Sequence, residues 1–344
     1  MHDTDGPGDA VADAYALGSG EWAMAPVARG ALGQIWKLTR KHAPNGLSGG
    51  PAWAVKELLF DGDEEQVLRE AALRDAAEGL GIASPRLLPD RAGAYLTRLG
   101  GSPDGPCVKL YEWVEGARAD ASDPELLSWC GRTLAVLHRA GADTAGTPGP
   151  WYERCPSPAE WAGLHARVRR AGVPWGDALG RFVASSAGEL ARHVTASVAD
   201  GVPAAGADVV MSHLDVQPQN VLVGPHGPVL LDWDNAGPTS AGRELAQVVF
   251  VWSGGNDFHA GSARRLVRAY REAGGRPVLK GLDSFSMLFA TTLNYVHVQA
   301  ECAIDPTVTP ALREFASGQV VASLRNLPDP TAVARLAECL ETAW

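Results

Sequence analysis

The run His213-Leu214-Asp215-Val216-Gln217-Pro218-Gln219-Asn220 sets a carboxylate and a carboxamide five residues apart, and Leu230-Leu231-Asp232-Trp233-Asp234 adds further carboxylates at the end of an apolar, strand-like stretch. Those residue types in that order suit phosphoryl transfer. An acceptor hydroxyl must lose a proton, and a carboxylate within reach both positions the hydroxyl and accepts the proton. Asp215 is the candidate for that role. Asn220 offers a neutral oxygen and Asp232 a charged one to a hard cation. Magnesium prefers oxygen ligands and dehydrates reluctantly, so two protein ligands plus phosphate oxygens suit it. Taken singly, each of these residues reads more simply as a turn or capping residue. The whole set, with Asp232 twelve positions beyond Asn220, is a much rarer coincidence.

The upstream half supplies independent partners. Arg29-Gly30-Ala31-Leu32-Gly33-Gln34 is a turn entering a strand, and the backbone amides of such a turn can approach phosphates. In isolation, Gly30 and Gly33 would read as a plain hairpin turn. Lys56 lies in the next strand, after Ala54-Val55. Its expected role is to contact the α- and β-phosphates, oriented by a carboxylate from the following helix. Glu70 is the best-placed partner, with Glu65 in reserve.

The elements that must position these groups follow from periodicity. Gln34 to Thr39 alternates with period two, as a half-buried strand does, and Trp53 to Leu58 is the returning strand. His42 to Pro51 reads as the hairpin loop between them. Asp63 to Leu80 reads as a helix, with Asp61 or Asp63 as N-cap and Gly79 or Gly81 closing it. Leu87 to Leu99 and Cys107 to Val114 supply further strands. From Gly116 the texture turns helical. Leu126, Leu127, Cys130, Leu134 and Leu137 recur at the spacing of a buried helical face. Further helices are expected over 161–170, 175–199, 261–273, 282–303 and 331–343. Short apolar strands are expected at Val209–Met211, Val221–Val223 and Val229–Leu231. Residues 1–20 read as a flexible arm with a short helix at Ala10 to Leu17. The division is then a β-rich lobe over 21–112, a hinge over 113–116 and a helical lobe over 117–344.

The formal net charge of −10, with no basic block to offset it, argues against nucleic-acid or anionic-membrane partners. The longest apolar-rich segment, near Met287 to Ala303, is interrupted by Asn294, His297 and Glu301 and is too polar to span a bilayer. The five cysteines are widely spaced and odd in number, which fits reduced thiols and a cytoplasmic protein. The acidic N-terminus carries no signal peptide pattern. The chain has only five lysines, Lys37, Lys41, Lys56, Lys109 and Lys280, so a lysine inside an apolar strand stands out.

Leu231-Asp232-Trp233-Asp234 followed by Ala236-Gly237-Pro238, together with Gly131-Arg132-Thr133-Leu134-Ala135-Val136-Leu137-His138, resembles the aminoglycoside phosphotransferase family of small-molecule kinases. The similarity runs from about Pro26 to at least Trp252. It implies an α+β, two-lobed protein-kinase-like fold, with a β-rich N-lobe and a larger, mostly helical C-lobe. It also implies ATP, or GTP in its place, and Mg2+ as cofactors. By this resemblance Asp215 is catalytic and Asn220 and Asp232 bind the metal. Lys56 contacts the phosphates and Glu70 pairs with it. Glu112, Trp113 and Val114 meet the adenine through backbone groups, and Glu244 is structural. The acceptor pocket is expected between the catalytic loop and the C-terminal helices, with Asp234, Trp252, Asn294 and Tyr295 as its candidates.

Leu214 stands where many members of that family have Gly, and Gln217 and Gln219 where His and Gly are frequent. These departures bear on the substrate. The short stretch after Asp232 argues against a peptide substrate. The expected partner is therefore a small hydroxylated molecule, with an antibiotic of aminoglycoside, macrolide or nucleoside type preferred, acted on by a monomer or homodimer. The alternatives are a metabolic kinase for choline, homoserine or a thio-sugar, and a catalytically silent nucleotide-binding regulator.

Overall fold

A computed structural model describes residues 6–30, 33–41, 50–59, 62–101, 105–142, 146–199, 208–276, 279 and 281–341. Ala31 and Leu32 of the glycine turn, and 42–49 of the expected hairpin loop, lie outside these residues. The chain forms two compact units. One is Met1–Ala119 with Gln219–Ala236, and the other is Asp120–Pro218 with Gly237–Trp344. The hairpin carrying Asn220 and Asp232, expected in the C-lobe, thus groups with the N-terminal unit.

The first unit contains α1 (Pro7–Ala14), β1 (Trp22–Arg29), β2 (Gly33–Arg40), β3 (Ala52–Leu58), α2 (Glu64–Gly79), β4 (Leu87–Leu88), β5 (Thr97–Arg98), β6 (Cys107–Glu112) and β7 (Ala117–Arg118). Its main sheet runs β1-β2-β3-β6-β4, with β5 also paired to β6. All of these pairings are antiparallel. The expected strands at Gln34–Thr39 and Trp53–Leu58 fall inside β2 and β3. Asp63 caps α2 by accepting from the Glu65 N–H at 3.0 Å, so one of the orphan amides of the first turn is met by a side chain.

The arm expected over 1–20 is corrected from Gly6 onward. Val11, Ala12 and Tyr15 share one face of the first helical segment and are buried with Trp22, Leu38, Val55, Val108 and Leu110. The Tyr15 hydroxyl also donates to the Val108 carbonyl at 3.3 Å. Burial of that apolar face outweighs the Gly- and Asp-rich composition around it.

The same unit holds the hairpin β9 (Val221–Gly224) and β10 (Gly227–Leu230), with β7 pairing on the outer side of β9.

The second unit contains α3 (Pro124–Ala140), α4 (Pro150–Glu153), α5 (Pro158–Ala171), α6 (Gly176–Ser185), α7 (Ala187–Ala199), α8 (Ala241–Ser253), α9 (Ala260–Glu272), α10 (Ser286–Ile304), α11 (Pro310–Arg325) and α12 (Pro330–Glu341). It also holds a two-stranded ribbon, β8 (Val209–Ser212) against β11 (Gly237–Ser240). The helix expected over 175–199 is broken at Ser186 into α6 and α7. Helix α11 forms where the sequence pattern predicts none. Helix α3 packs closely on α9: a side-chain carbon at Gly131 would lie 2.3 Å from the Leu266 carbonyl, so only glycine permits that approach. Among the described residues no helix is long and apolar enough to cross a membrane. None of the five cysteines forms a disulfide.

Candidate active site

In the first unit, register decides which charged groups meet. Strands β3 and β6 pair antiparallel with Lys56 directly opposite Lys109. Directly opposed residues leave the same face of a sheet, about 5 Å apart at Cβ. Two ammonium groups so close repel unless carboxylates separate them, and three carboxylates do so. Lys56 Nζ donates to Asp232 Oδ1 at 2.6 Å and to Asp234 Oδ2 at 2.7 Å. Lys109 Nζ donates to the other oxygen of Asp234, Oδ1, at 2.6 Å, and to Glu70 Oε2 at 2.6 Å. The remaining Glu70 oxygen, Oε1, accepts from the Tyr111 hydroxyl at 2.5 Å. The result is a line of alternating charge: Asp232, Lys56, Asp234, Lys109, Glu70, ending on Tyr111.

Two expectations change here. Glu70 pairs with Lys109 and not with Lys56. Asp234, expected in the acceptor pocket, bridges the two lysines. The carboxylate of α2 reaches the β6 lysine, and sequence spacing alone does not say which of two opposed lysines it meets. Lys109 and Tyr111 are functional candidates that the motif reading did not single out. The available signal was a lysine between valine and leucine in an apolar strand of a lysine-poor chain.

The electrostatics follow from burial and pairing. Burial pulls the Lys56 ammonium down, but Asp232 and Asp234 outweigh it and the net shift is upward. Burial pushes the Asp234 carboxyl up, while Lys56 and Lys109 reverse that and hold it below the usual carboxylate range. Burial also raises the Glu70 carboxyl, against the pull of Lys109. Tyr111 is pushed well up, first by burial and then by Glu70 and Asp234, so it remains a neutral donor.

The backbone around this line is tightly held. Gln66 of α2 donates to the carbonyls of Asp234 and Ala236 at 2.7 and 2.9 Å. The Leu231 N–H donates to the Asn220 carbonyl at 2.8 Å. This places Asn220 and Asp232 at one end of the β9–β10 hairpin, as their spacing predicts. Asp232 adopts a left-handed backbone, φ 59°, a conformation costly for a non-glycine residue and concentrated at functional positions. Gly33 has a packing role beside Lys56: a side-chain carbon there would lie 2.8 Å from the Glu57 carbonyl. Gly30 closes the same turn, donating to the Gly33 carbonyl at 2.9 Å.

At the expected hinge, the Glu112 N–H donates to the Arg86 carbonyl at 3.0 Å, and its carboxylate pairs with Arg86 at 2.9 Å. Trp113 donates from Nε1 to Glu115 at 2.7 Å and lies under Lys37, whose Nζ is 4.3 Å from the ring centroid. Val114 follows directly, ahead of β7.

In the second unit, Asp215 sits in a loop braced from behind. Leu214 is buried in a left-handed conformation, φ 65°, and its N–H donates to Glu244 Oε1 at 2.7 Å. The other oxygen of Glu244 accepts from His138 Nε2 at 2.8 Å, and His138 Nδ1 meets the Tyr270 hydroxyl at 2.8 Å. Burial pushes the Glu244 carboxyl up, but His138 and the Leu214 N–H overcome it and the net shift is down. Trp252 donates from Nε1 to the Val216 carbonyl at 3.0 Å. Gln217 donates to the Asp215 carboxylate.

The acceptor candidates sort differently from expectation. Trp252 is 1 % exposed and braces the loop. Asn294 donates to the carbonyls of Trp151 and Arg154 at 2.8 and 2.7 Å and so anchors α4. Tyr295 donates from its hydroxyl to Gln319 at 3.0 Å, and burial, then the charge of Asp215, push its phenol up to about 12. Tyr152 of α4, absent from the motif reading, is raised by burial and by Asp215 in the same way.

A family model described as the phosphotransferase enzyme family matches residues 48–282. Among curated proteins, the homoserine kinase of Beijerinckia indica is 25% identical over 259 residues, spanning 72% of this chain and 75% of that protein. Among solved structures, a spectinomycin phosphotransferase superposes with a TM-score of 0.60 at 11% identity, covering 93% of each chain. An aminoglycoside phosphotransferase from Alicyclobacillus acidocaldarius superposes with a TM-score of 0.53 at 20% identity, covering 92% of each.

Proposed function

Because this chain belongs to the phosphotransferase enzyme family, we propose that it transfers the γ-phosphoryl group of ATP, with magnesium, to a hydroxyl of a hydroxylated antibiotic. The observation that carries the ATP- and magnesium-dependent chemistry is the hairpin end that joins Asn220 and Asp232, with Lys56 on the Asp232 carboxylate. In this reading Asn220 and Asp232 hold the metal. Both are hard oxygen donors, and among the described residues no group of three or more His, Cys, Asp or Glu is arranged to hold a metal ion by itself. A site with two protein ligands completed by phosphate oxygens suits magnesium better than an all-protein cage would. The bound metal supplies charge neutralisation at the transferring phosphoryl group. Lys56 contacts the phosphates. Asp215, oriented by the Glu244–Leu214 brace, positions the acceptor hydroxyl and takes its proton.

The antibiotic reading draws on the acceptor side. Tyr152 and Tyr295 share a unit with Asp215, and burial first and then its charge raise both phenols; two phenols on the acceptor side would favour a ring-bearing substrate over a bare polycation, which needs several carboxylates around it. The solved spectinomycin phosphotransferase, in complex with ADP and spectinomycin, supports the same direction. A second reading, a small amino alcohol acceptor, is favoured by the similarity to a homoserine kinase.

A panel of antibiotics and amino alcohols incubated with ATP and magnesium, read by mass spectrometry for added phosphate, separates the two. Phosphate on a ring-bearing antibiotic alone supports the first reading, and phosphate on homoserine or a related amino alcohol alone replaces it with the second. No product on any member, with ATP still bound, would leave the silent regulator.

A further inference from the structure

Both oxygens of Glu70 are engaged by donors other than Lys56. Its Oε2 accepts from Lys109 and its Oε1 from Tyr111. Both partners of the Lys109–Glu70 pair are buried, 3% and 0% exposed, so separating them would strand a charge away from water. Lys56 is instead oriented from the other side, by Asp232 and by Oδ2 of Asp234. Asp234 can hold that orientation because its Oδ1 is fixed by Lys109 and its backbone carbonyl by Gln66. The ordering signal therefore passes from helix α2 through Glu70, Lys109 and Asp234 to Lys56.

We infer that Lys109 is a positioning residue of the nucleotide site, which takes the helix carboxylate Glu70 and anchors Asp234 so that Asp234 aims Lys56 at the phosphates. The inference rests on the reading of Lys56 as the phosphate-binding lysine. Lys109 itself touches no phosphate in this account and acts only through Asp234. An arginine at 109 can still span Glu70 and Asp234, because its planar fork reaches two carboxylates. A methionine fills a similar volume and anchors neither.

The test is a double-mutant cycle on the full-length protein, reading the affinity for magnesium–ATP by calorimetry, with each variant's melting temperature recorded. Lys109→Met is expected to weaken binding about tenfold or more, and Lys109→Arg to recover most of that loss. Lys56→Ala is expected to weaken binding strongly in the unaltered chain but by less than about threefold in the Lys109→Met background, because Lys56 is already misaimed there. Additive losses, or Lys109→Met binding as the unaltered chain does, would overturn the inference. If Lys109→Met fails to fold, Glu70→Gln with Lys109→Met removes the stranded charge, and the same cycle is run on that background with the same two outcomes. Failure of the unaltered chain to bind magnesium–ATP would instead sink the nucleotide reading as a whole, and this inference with it.

Discussion

Lys109 on β6 and Glu70 on α2, thirty-nine residues apart, meet at 2.6 Å with both side chains buried. Removing one partner of such a pair strands the other, at a cost of about 3–5 kcal/mol. Lys109→Met is therefore expected to lower the urea midpoint sharply at an unchanged slope. Glu70→Leu combined with Lys109→Met should lose less than the sum of the single changes by more than about 1 kcal/mol. Strict additivity would show that the pair contributes nothing beyond its separate groups.

Asp215→Asn keeps the size of the side chain and its place in the braced loop, and removes the carboxylate proposed to accept the proton. Transfer to the acceptor is expected to fall by about a hundredfold or more, with magnesium–ATP affinity unchanged. Retention of full turnover would remove Asp215 from the chemistry.

Glu244 gives the C-terminal unit an acid-sensitive brace. Its folded pKa lies below the ordinary value of 4.5, with burial opposing and His138 and the Leu214 N–H prevailing. A depressed carboxylate contributes stability that is fully present above the unfolded pKa and is lost as pH falls through the folded one. The stability of the protein should therefore decline as pH drops below about 4.5. Glu244→Gln should be less stable at neutral pH and show a shallower decline on the acid side. Parallel pH–stability curves for the two proteins would contradict the assignment.

Leu214 combines a φ of 65° with a buried side chain. Glycine there would relieve about 1–2 kcal/mol of backbone strain and forfeit about 1.5–3 kcal/mol of apolar burial. The two nearly offset, so Leu214→Gly should change stability by no more than about 2 kcal/mol. Leu214→Val keeps the strain and adds a branch at the β-carbon, so it should be the less stable of the two. Thermal melts of both variants decide the order.

Local chemistry was legible where it is written locally. Asn220 and Asp232 end up at one end of a hairpin because the short apolar runs Val221–Val223 and Val229–Leu231 flank a Gly-containing turn, and that pattern is visible without coordinates. The β2 and β3 strands were equally plain, and the α2 cap was narrowed to Asp61 or Asp63, of which Asp63 caps the helix. Helix α11 was not, because its buried positions are Leu312, Ala316 and Val320, and small residues give little hydrophobic contrast. Its usable signal was Thr309 followed by Pro310, a capping residue ahead of a first-turn proline. Tyr152 was hidden for a different reason. It sits on a four-residue helix with too few positions to show a period.

The amino-acid sequence by itself therefore determined the kind of chemistry: an aspartate, an asparagine and a second aspartate at the spacing of a phosphoryl-transfer site, with Lys56 upstream of them. Only the tertiary structure decided which charges pair. Lys56 and Lys109 are fifty-three residues apart in the chain and become neighbours through the β3–β6 register. Glu70 then takes Lys109, and Asp234 bridges the two lysines. Strand register and the approach of a helix are non-local, so no spacing along the chain encodes which of two opposed lysines a helix carboxylate will reach.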